Sequence, residues 1–123
     1  MKLNLNDTFN KQLVADTDTS NSRRQVFGAC FSYVTPRVPS NPKLLHVTAE
    51  VAELIGLSKE EVTSTEFLEV VSGSKVYPET QPYAMAYAGH QFGNWAGQLG
   101  DGRAINLFEV LHNNQLWALQ LKG

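Results

Sequence analysis

The sequence predicts an α+β domain in which short helices accompany an antiparallel hairpin with a glycine-rich loop before it. Three observations predict this class. Residues 103–111 and 116–122 alternate between apolar and polar side chains on either side of Asn113-Asn114, a pair that tolerates the left-handed backbone of a tight turn. From Thr48 the pattern turns helical instead, with Val51, Leu54 and Ile55 at i, i+3 and i+4 on one helix face. Five of the nine glycines, Gly89, Gly93, Gly97, Gly100 and Gly102, fall in one stretch just before the alternating runs. Glycine costs backbone entropy, so such a cluster points to positive φ angles or to close approach of the main chain to something else.

Composition narrows the function classes. With 123 residues the chain is one domain at most, and 42% hydrophobic with 18% charged residues is ordinary for a globular chain. A formal net charge of −2 argues against broad binding to nucleic acid or to an anionic membrane surface, leaving only local basic sites. The single cysteine, Cys30, makes neither an internal disulfide nor a multi-cysteine zinc site. Neither a membrane-length apolar run nor a signal-peptide apolar region is present, so the default expectation is a cytoplasmic protein. The sequence stops at Lys122-Gly123, at the end of a predicted strand, and reads as the front piece of a longer protein.

Residues 1–24 are rich in Asn, Asp, Thr and Ser, with Phe9, Leu13 and Val14 as their few anchors, and residues 16–22 read as a loop. Arg23-Arg24 is a basic pair, a pattern more often a solvated charge patch than a phosphate site. Residues 25–34 alternate weakly and predict a strand with Gly28 as a bulge. Pro36, Pro39 and Pro42 enforce an extended connector, and residues 44–47 suit a short strand. A helix follows, with Thr48 as N-cap, Val51, Leu54 and Ile55 on its buried face, and Gly56 as terminator. Ser58 and Glu61 have capping-box spacing, and Thr65 suits the cap of a further helix that ends at Gly73. Pro78 and Pro82 bound another connector.

In the first run of the hairpin, Ile105, Leu107 and Leu111 are expected on one face and Ala104, Phe108 and Val110 on the other, with Glu109 marking a solvent edge. In the second run Trp117, Leu119 and Leu121 face one way, and Leu116, Ala118, Gln120 and Lys122 the other. Lys122 therefore sits on the more polar face, from which a lysine can reach into a cleft. A glycine-rich segment, a strand, a turn and a strand ending near a lysine is the arrangement by which protein-kinase-like folds hold nucleotide phosphates.

The stretch Gly89-His-Gln-Phe-Gly-Asn-Trp-Ala-Gly-Gln-Leu-Gly-Asp-Gly-Arg-Ala104, with Leu119-Gln-Leu-Lys-Gly123, closely resembles the selenoprotein O family of kinase-like protein adenylyltransferases. Arg24-Gln-Val-Phe-Gly-Ala-Cys30 and Glu50-Val-Ala-Glu-Leu-Ile-Gly-Leu57 resemble the same family's N-terminal region, so the likeness covers nearly the whole chain. The resemblance implies a kinase-like fold that binds ATP in a flipped orientation and transfers AMP to hydroxyl side chains of proteins. It implies that Gly100, Gly102 and Arg103 line the nucleotide site and that Lys122 contacts phosphates. It places the catalytic aspartate, the ligands of Mg2+ or Mn2+, and further phosphate-binding arginines after position 123, with no catalytic or metal-binding residue in this chain. Phe108 stands where the family pattern has glycine, and Ala118 where it has an acidic residue.

Each signal has a plainer reading. Gly100-Asp-Gly-Arg103 is by itself a tight turn entering a strand, and Lys122 by itself is a solvated strand-end lysine. The resemblance favours phosphate contacts, a bidentate fork from Arg103 and a mobile point charge from Lys122. His90 has no co-ligand at metal spacing in His46 or His112. Cys30 suits a small buried hydrophobe better than a nucleophile, and Tyr87, Phe92 and Trp95 suit packing that orders the glycine-rich stretch. Two functional classes follow: the N-terminal part of an ATP-dependent protein adenylyltransferase, inactive alone, or a non-catalytic chain, either a stand-alone nucleotide-binding or interaction module or a truncated gene product; a phosphotransferring kinase is a lesser third reading.

Overall fold

The computed structural model describes residues 1–100 and 103–123. Its centre is β5 (Ala104–His112), paired antiparallel with β6 (Gln115–Lys122) through the expected turn at Asn113-Asn114, whose φ angles are 49° and 59°. Both turn residues are left-handed, as a two-residue hairpin matched to strand twist requires. β1 (Phe31–Tyr33) and β2 (Tyr83–Met85) complete a four-stranded antiparallel sheet in the order β1-β2-β5-β6. β2 was not expected from the sequence; it follows Pro82 directly and reaches β5 at Tyr83–Asn106.

Past Asn106 the free side of β5 is taken by the N-terminus. Asn6 N–H donates to Glu109 O and Leu111 N–H donates to Asn4 O, with Leu5 bridging Val110. β5 is therefore bonded along both sides. Glu109 is not at a solvent edge, as expected, but 9% exposed. Its Oε2 accepts from Thr8 N–H, Thr8 Oγ1–H and Phe9 N–H, and so caps α1 (Phe9–Gln12) from a strand about a hundred residues away in sequence. Of the apolar anchors in the polar N-terminal stretch, Phe9 stacks on Tyr83, whereas Leu13 and Val14 lie exposed.

The expected faces of β5 are corrected by a bulge between Asn106 and Phe108. One extra residue exchanges the two sides of a strand. Ile105, Phe108 and Val110 consequently lie opposite Leu121, Leu119 and Trp117 on the apolar face. Ala104, Asn106 and Glu109 share the other face with Lys122, Gln120 and Ala118. The faces of β6 are as expected, with Lys122 on the polar side. Phe108, 2% exposed, packs in a cluster with Val70, Leu107 and Val110 and tilts against Tyr77.

Helices α2 (Ala49–Leu54), α3 (Lys59–Val62) and α4 (Thr65–Val71) share a second cluster of Ala52, Leu57, Val62 and Phe67. The buried face of α2 runs through Ala52 and half-buried Ile55; Val51 is 55% exposed and Leu54 is also exposed. Thr48 occupies the N-cap without a side-chain bond. The Ser58–Glu61 capping box forms in full, while α4 is capped one residue earlier than expected, by Ser64. Gly73 ends the helical region at φ 80°, where an added Cβ would lie 2.9 Å from Pro36 Cβ. Residues 44–47 form no strand, and β1 begins only at Phe31, with Gly28 in a bend before it. No helix among the described residues is long and apolar enough to cross a membrane.

From Ala88 to Gln98 the glycine-rich stretch is not an irregular loop. It forms a second hairpin, β3 (Ala88–Gln91) and β4 (Asn94–Gln98), extended by Leu99 N–H donating to Tyr87 O at 2.7 Å. Its aromatic residues do not pack as expected: Phe92 at the tip is 99% exposed, Trp95 and Tyr87 are exposed, and only His90 meets Trp95 edge-on.

Candidate functional site

A groove of about 830 Å³ opens where the start of β5, the chain around β2 and the segment of residues 20–26 meet. That size suits a small-molecule ligand. The segment is held over the sheet by side chains acting as backbone. Gln98 Oε1 accepts from Val26 N–H and Gln98 Nε2 donates to Val26 O, both at 2.6 Å, so the end of β4 ties down the segment as a strand partner would. Arg24 fastens the other end. Its Nη2 and Nε donate to Asp16 Oδ2 at 2.6 and 3.0 Å, and Nη2 and Nη1 also donate to the carbonyls of Asp18 and Ser20. Asp16 is in turn anchored to β1, its N–H donating to Phe31 O and its carboxylate accepting from Ser32 Oγ–H. The Arg24 hydrogen bonds hold the Asp16 carboxyl below its ordinary range. The basic pair is thus divided: Arg23 is solvated, but Arg24 is a structural hub rather than a solvated charge.

Of the four residues expected at a phosphate site, Gly100 and Arg103 line this groove. Gly100 has φ 123°, a conformation for glycine, and a Cβ there would sit 3.5 Å from Met85 O. Arg103 is also left-handed, at φ 68°, and its side chain is exposed. Gly102 lies outside the described residues. Lys122 is opposite Ala104, a lining residue, and on the same face of the sheet; it stands beside the groove's end rather than among its lining side chains. Gly123 N–H donates to Arg103 O at 3.0 Å, so Lys122 and Arg103 leave adjacent main chains at one end of the hairpin.

The groove also gathers Arg23, Arg24 and Arg37, which sequence reasoning did not join to Arg103. No aspartate or glutamate is among its described lining residues. An unbalanced set of guanidiniums of this kind has the chemistry to neutralise and orient an anion. Among the described residues no group of three or more His, Cys, Asp or Glu side chains could hold a metal ion, and His90 has only Trp95 beside it.

With this geometry the sequence likeness acquires a place in the fold. A profile of the family described as Protein adenylyltransferase SelO matches residues 17–123, which include the whole sheet and the groove. The chain belongs to that family. Similar proteins include a Protein nucleotidyltransferase YdiU of Flavobacterium johnsoniae, 63% identical over 98% of this chain and 23% of its own length. Proteins of the same description from Methylobacillus flagellatus and Rhodopirellula baltica are 49% and 51% identical over 98% of this chain. The chain spans about a quarter of the length of these relatives.

Proposed function

We propose that this chain is the N-terminal portion of an ATP-dependent protein adenylyltransferase with a protein-kinase-like fold, acting in the cytoplasm and supplying part of the nucleotide phosphate site. The observation that carries the reading is the groove in which Gly100 and Arg103 meet, within a stretch matched by the SelO family. In the reaction, a Ser, Thr or Tyr hydroxyl oxygen of a protein attacks the α-phosphorus of ATP in line. The bond from that phosphorus to the bridging oxygen breaks, pyrophosphate leaves, and the hydroxyl proton passes to a base. This chain's part is electrostatic. Arg103 holds phosphate oxygens from a left-handed backbone just before β5, and Lys122 adds a point charge from a strand fixed by Trp117, Leu119 and Leu121.

A divalent cation, Mg2+ or Mn2+, would neutralise phosphate charge in the complete enzyme. The reading assigns its ligands, with the base, to the part of the relatives that this chain does not span. The chain alone should bind an ATP analogue weakly and transfer no AMP to an acceptor protein in the presence of magnesium. Side-by-side binding by this chain and by a full-length relative tests the reading, and labelled AMP transfer by the chain above a protein-free control contradicts it.

The roles of the two cations separate in a full-length protein carrying both. Lys122→Ala should mainly lower turnover, because losing one pre-aimed charge costs about 3 kcal/mol in the transition state. Arg103→Ala should mainly weaken nucleotide binding, by about 1.5–3 kcal/mol for a bond to a charged group. Steady-state kinetics in which Lys122→Ala raised only the Michaelis constant would overturn this division.

A further inference from the structure

The chain has ten basic side chains, four arginines and six lysines, spread along its length. All four arginines line the one groove, and none of the six lysines does. In a chain of net charge −2, with no acidic side chain in the described lining, this is a sharp segregation by residue type as well as by sign. Arginine differs from lysine in its planar fork, which engages phosphate oxygens bidentately and loses less water on doing so. Three separate stretches supply the four: the tied-down segment carries Arg23 and Arg24, the proline connector carries Arg37, and Arg103 directly precedes β5. Arg24 is committed to Asp16 and to main-chain carbonyls. The side chains of Arg23, Arg37 and Arg103 are exposed, and among the described residues none of them has a hydrogen-bond or ion-pair partner.

We propose that Arg23 and Arg37 are further phosphate-binding residues, forming with Arg103 a three-guanidinium clamp for a polyphosphate chain. The inference rests on the nucleotide reading above and deepens it. The clamp makes the groove selective for the number of phosphates, so that ATP and inorganic tripolyphosphate bind more tightly than AMP. In AMP transfer the same guanidiniums would stabilise the pyrophosphate as it leaves with the bridging oxygen's electrons. Arg24 is a positioning residue, holding the segment that presents Arg23.

Titration calorimetry of the 123-residue chain with tripolyphosphate, ATP and AMP tests the clamp, using Arg23→Ala, Arg37→Ala and Arg103→Ala variants whose folding is checked by circular dichroism. Arg23→Ala and Arg37→Ala should each weaken tripolyphosphate and ATP binding by about tenfold while AMP binding changes little. Lysine at either position should recover only part of the loss, since it restores the charge without the fork. Affinity should fall steeply with added salt. If Arg103→Ala alone weakened ATP, the nucleotide reading would stand and the clamp would fall. If Arg23→Ala and Arg37→Ala weakened tripolyphosphate while Arg103→Ala did not, the anion site at the two new residues would stand and the role given to Arg103 would fall. Tripolyphosphate binding no tighter than AMP, or none at all, would overturn the clamp.

Discussion

The molecule contains two hairpins side by side in sequence, and they are built on opposite principles. β5–β6 runs nine residues against eight, buries its central strand on both faces, and turns at two asparagines. β3–β4 runs four against five, slips register between Ala88 and His90, and turns at Phe92-Gly93 with φ angles of 51° and 78°. Asparagine accepts the left-handed region readily, whereas a bulky aromatic residue does so at a cost. The first hairpin is therefore held by its core and helped by its turn, and the second is held by its ladder in spite of its turn. The difference separates a rigid platform from a segment whose exposed aromatics contribute little to folding.

The contrast can be broken at its largest expected effect by two phenylalanines. Phe108→Ala should destabilise the chain by about 3–5 kcal/mol, the range for emptying an aromatic core site. Phe92→Ala should change stability by no more than about 0.5 kcal/mol. Urea unfolding of the two variants measures both, and similar losses would erase the distinction. The next effect lies at the crossing of strand and N-terminus. Glu109→Ala should cost about 1.5–3 kcal/mol by orphaning the donors at Thr8 and Phe9. It should also raise hydrogen exchange in α1 before it does so in β6.

Much of the platform is legible in the sequence, because alternation and the Asn-Asn pair are local signals. Capping at Ser58 is legible for the same reason. What was hidden depends on partners far along the chain. No local pattern could foretell that Glu109 caps α1, that Leu5 completes the sheet beside Val110, or that a bulge exchanges the faces of β5. The β3–β4 hairpin was hidden because its glycines erase the period of two. At the site, Gly100 and Arg103 could be named from a motif. Arg23 could not, because the tie between Gln98 and Val26 holds its segment over the groove, and neither could Arg37, whose proline connector meets the groove only in the folded chain.

Smaller effects sharpen the comparison at the turns. Asn114→Ala should cost about 1 kcal/mol, the strain of a left-handed alanine, whereas Phe92→Asn should leave thermal stability unchanged or raise it. A loss from Phe92→Asn would show that the exposed ring supports its hairpin after all. The smallest effect concerns pH. The carboxyl of Asp16 is depressed chiefly by its hydrogen bonds from Arg24, so its contribution to stability is complete above its ordinary titration range. It is lost as the pH falls through the lowered folded-state value. The segment of residues 20–26 should loosen in acid before β5–β6 does, and Asp16→Asn should remove that part of the pH dependence. Side-chain resonances of Arg24 followed through an acid titration would report it.

The central claim is that a rigid hairpin and a tied-down arginine segment together form a phosphate site. Amide hydrogen exchange, with and without a non-hydrolysable ATP analogue, tests it most directly. The claim predicts slow exchange across β5–β6 in both states and fast exchange at the tip of β3–β4 in both. Added nucleotide should give new protection at residues 20–26, 98–100 and 103–105. Protection that appeared instead around α2 and α3, or no change at those three segments under saturating analogue, would contradict it.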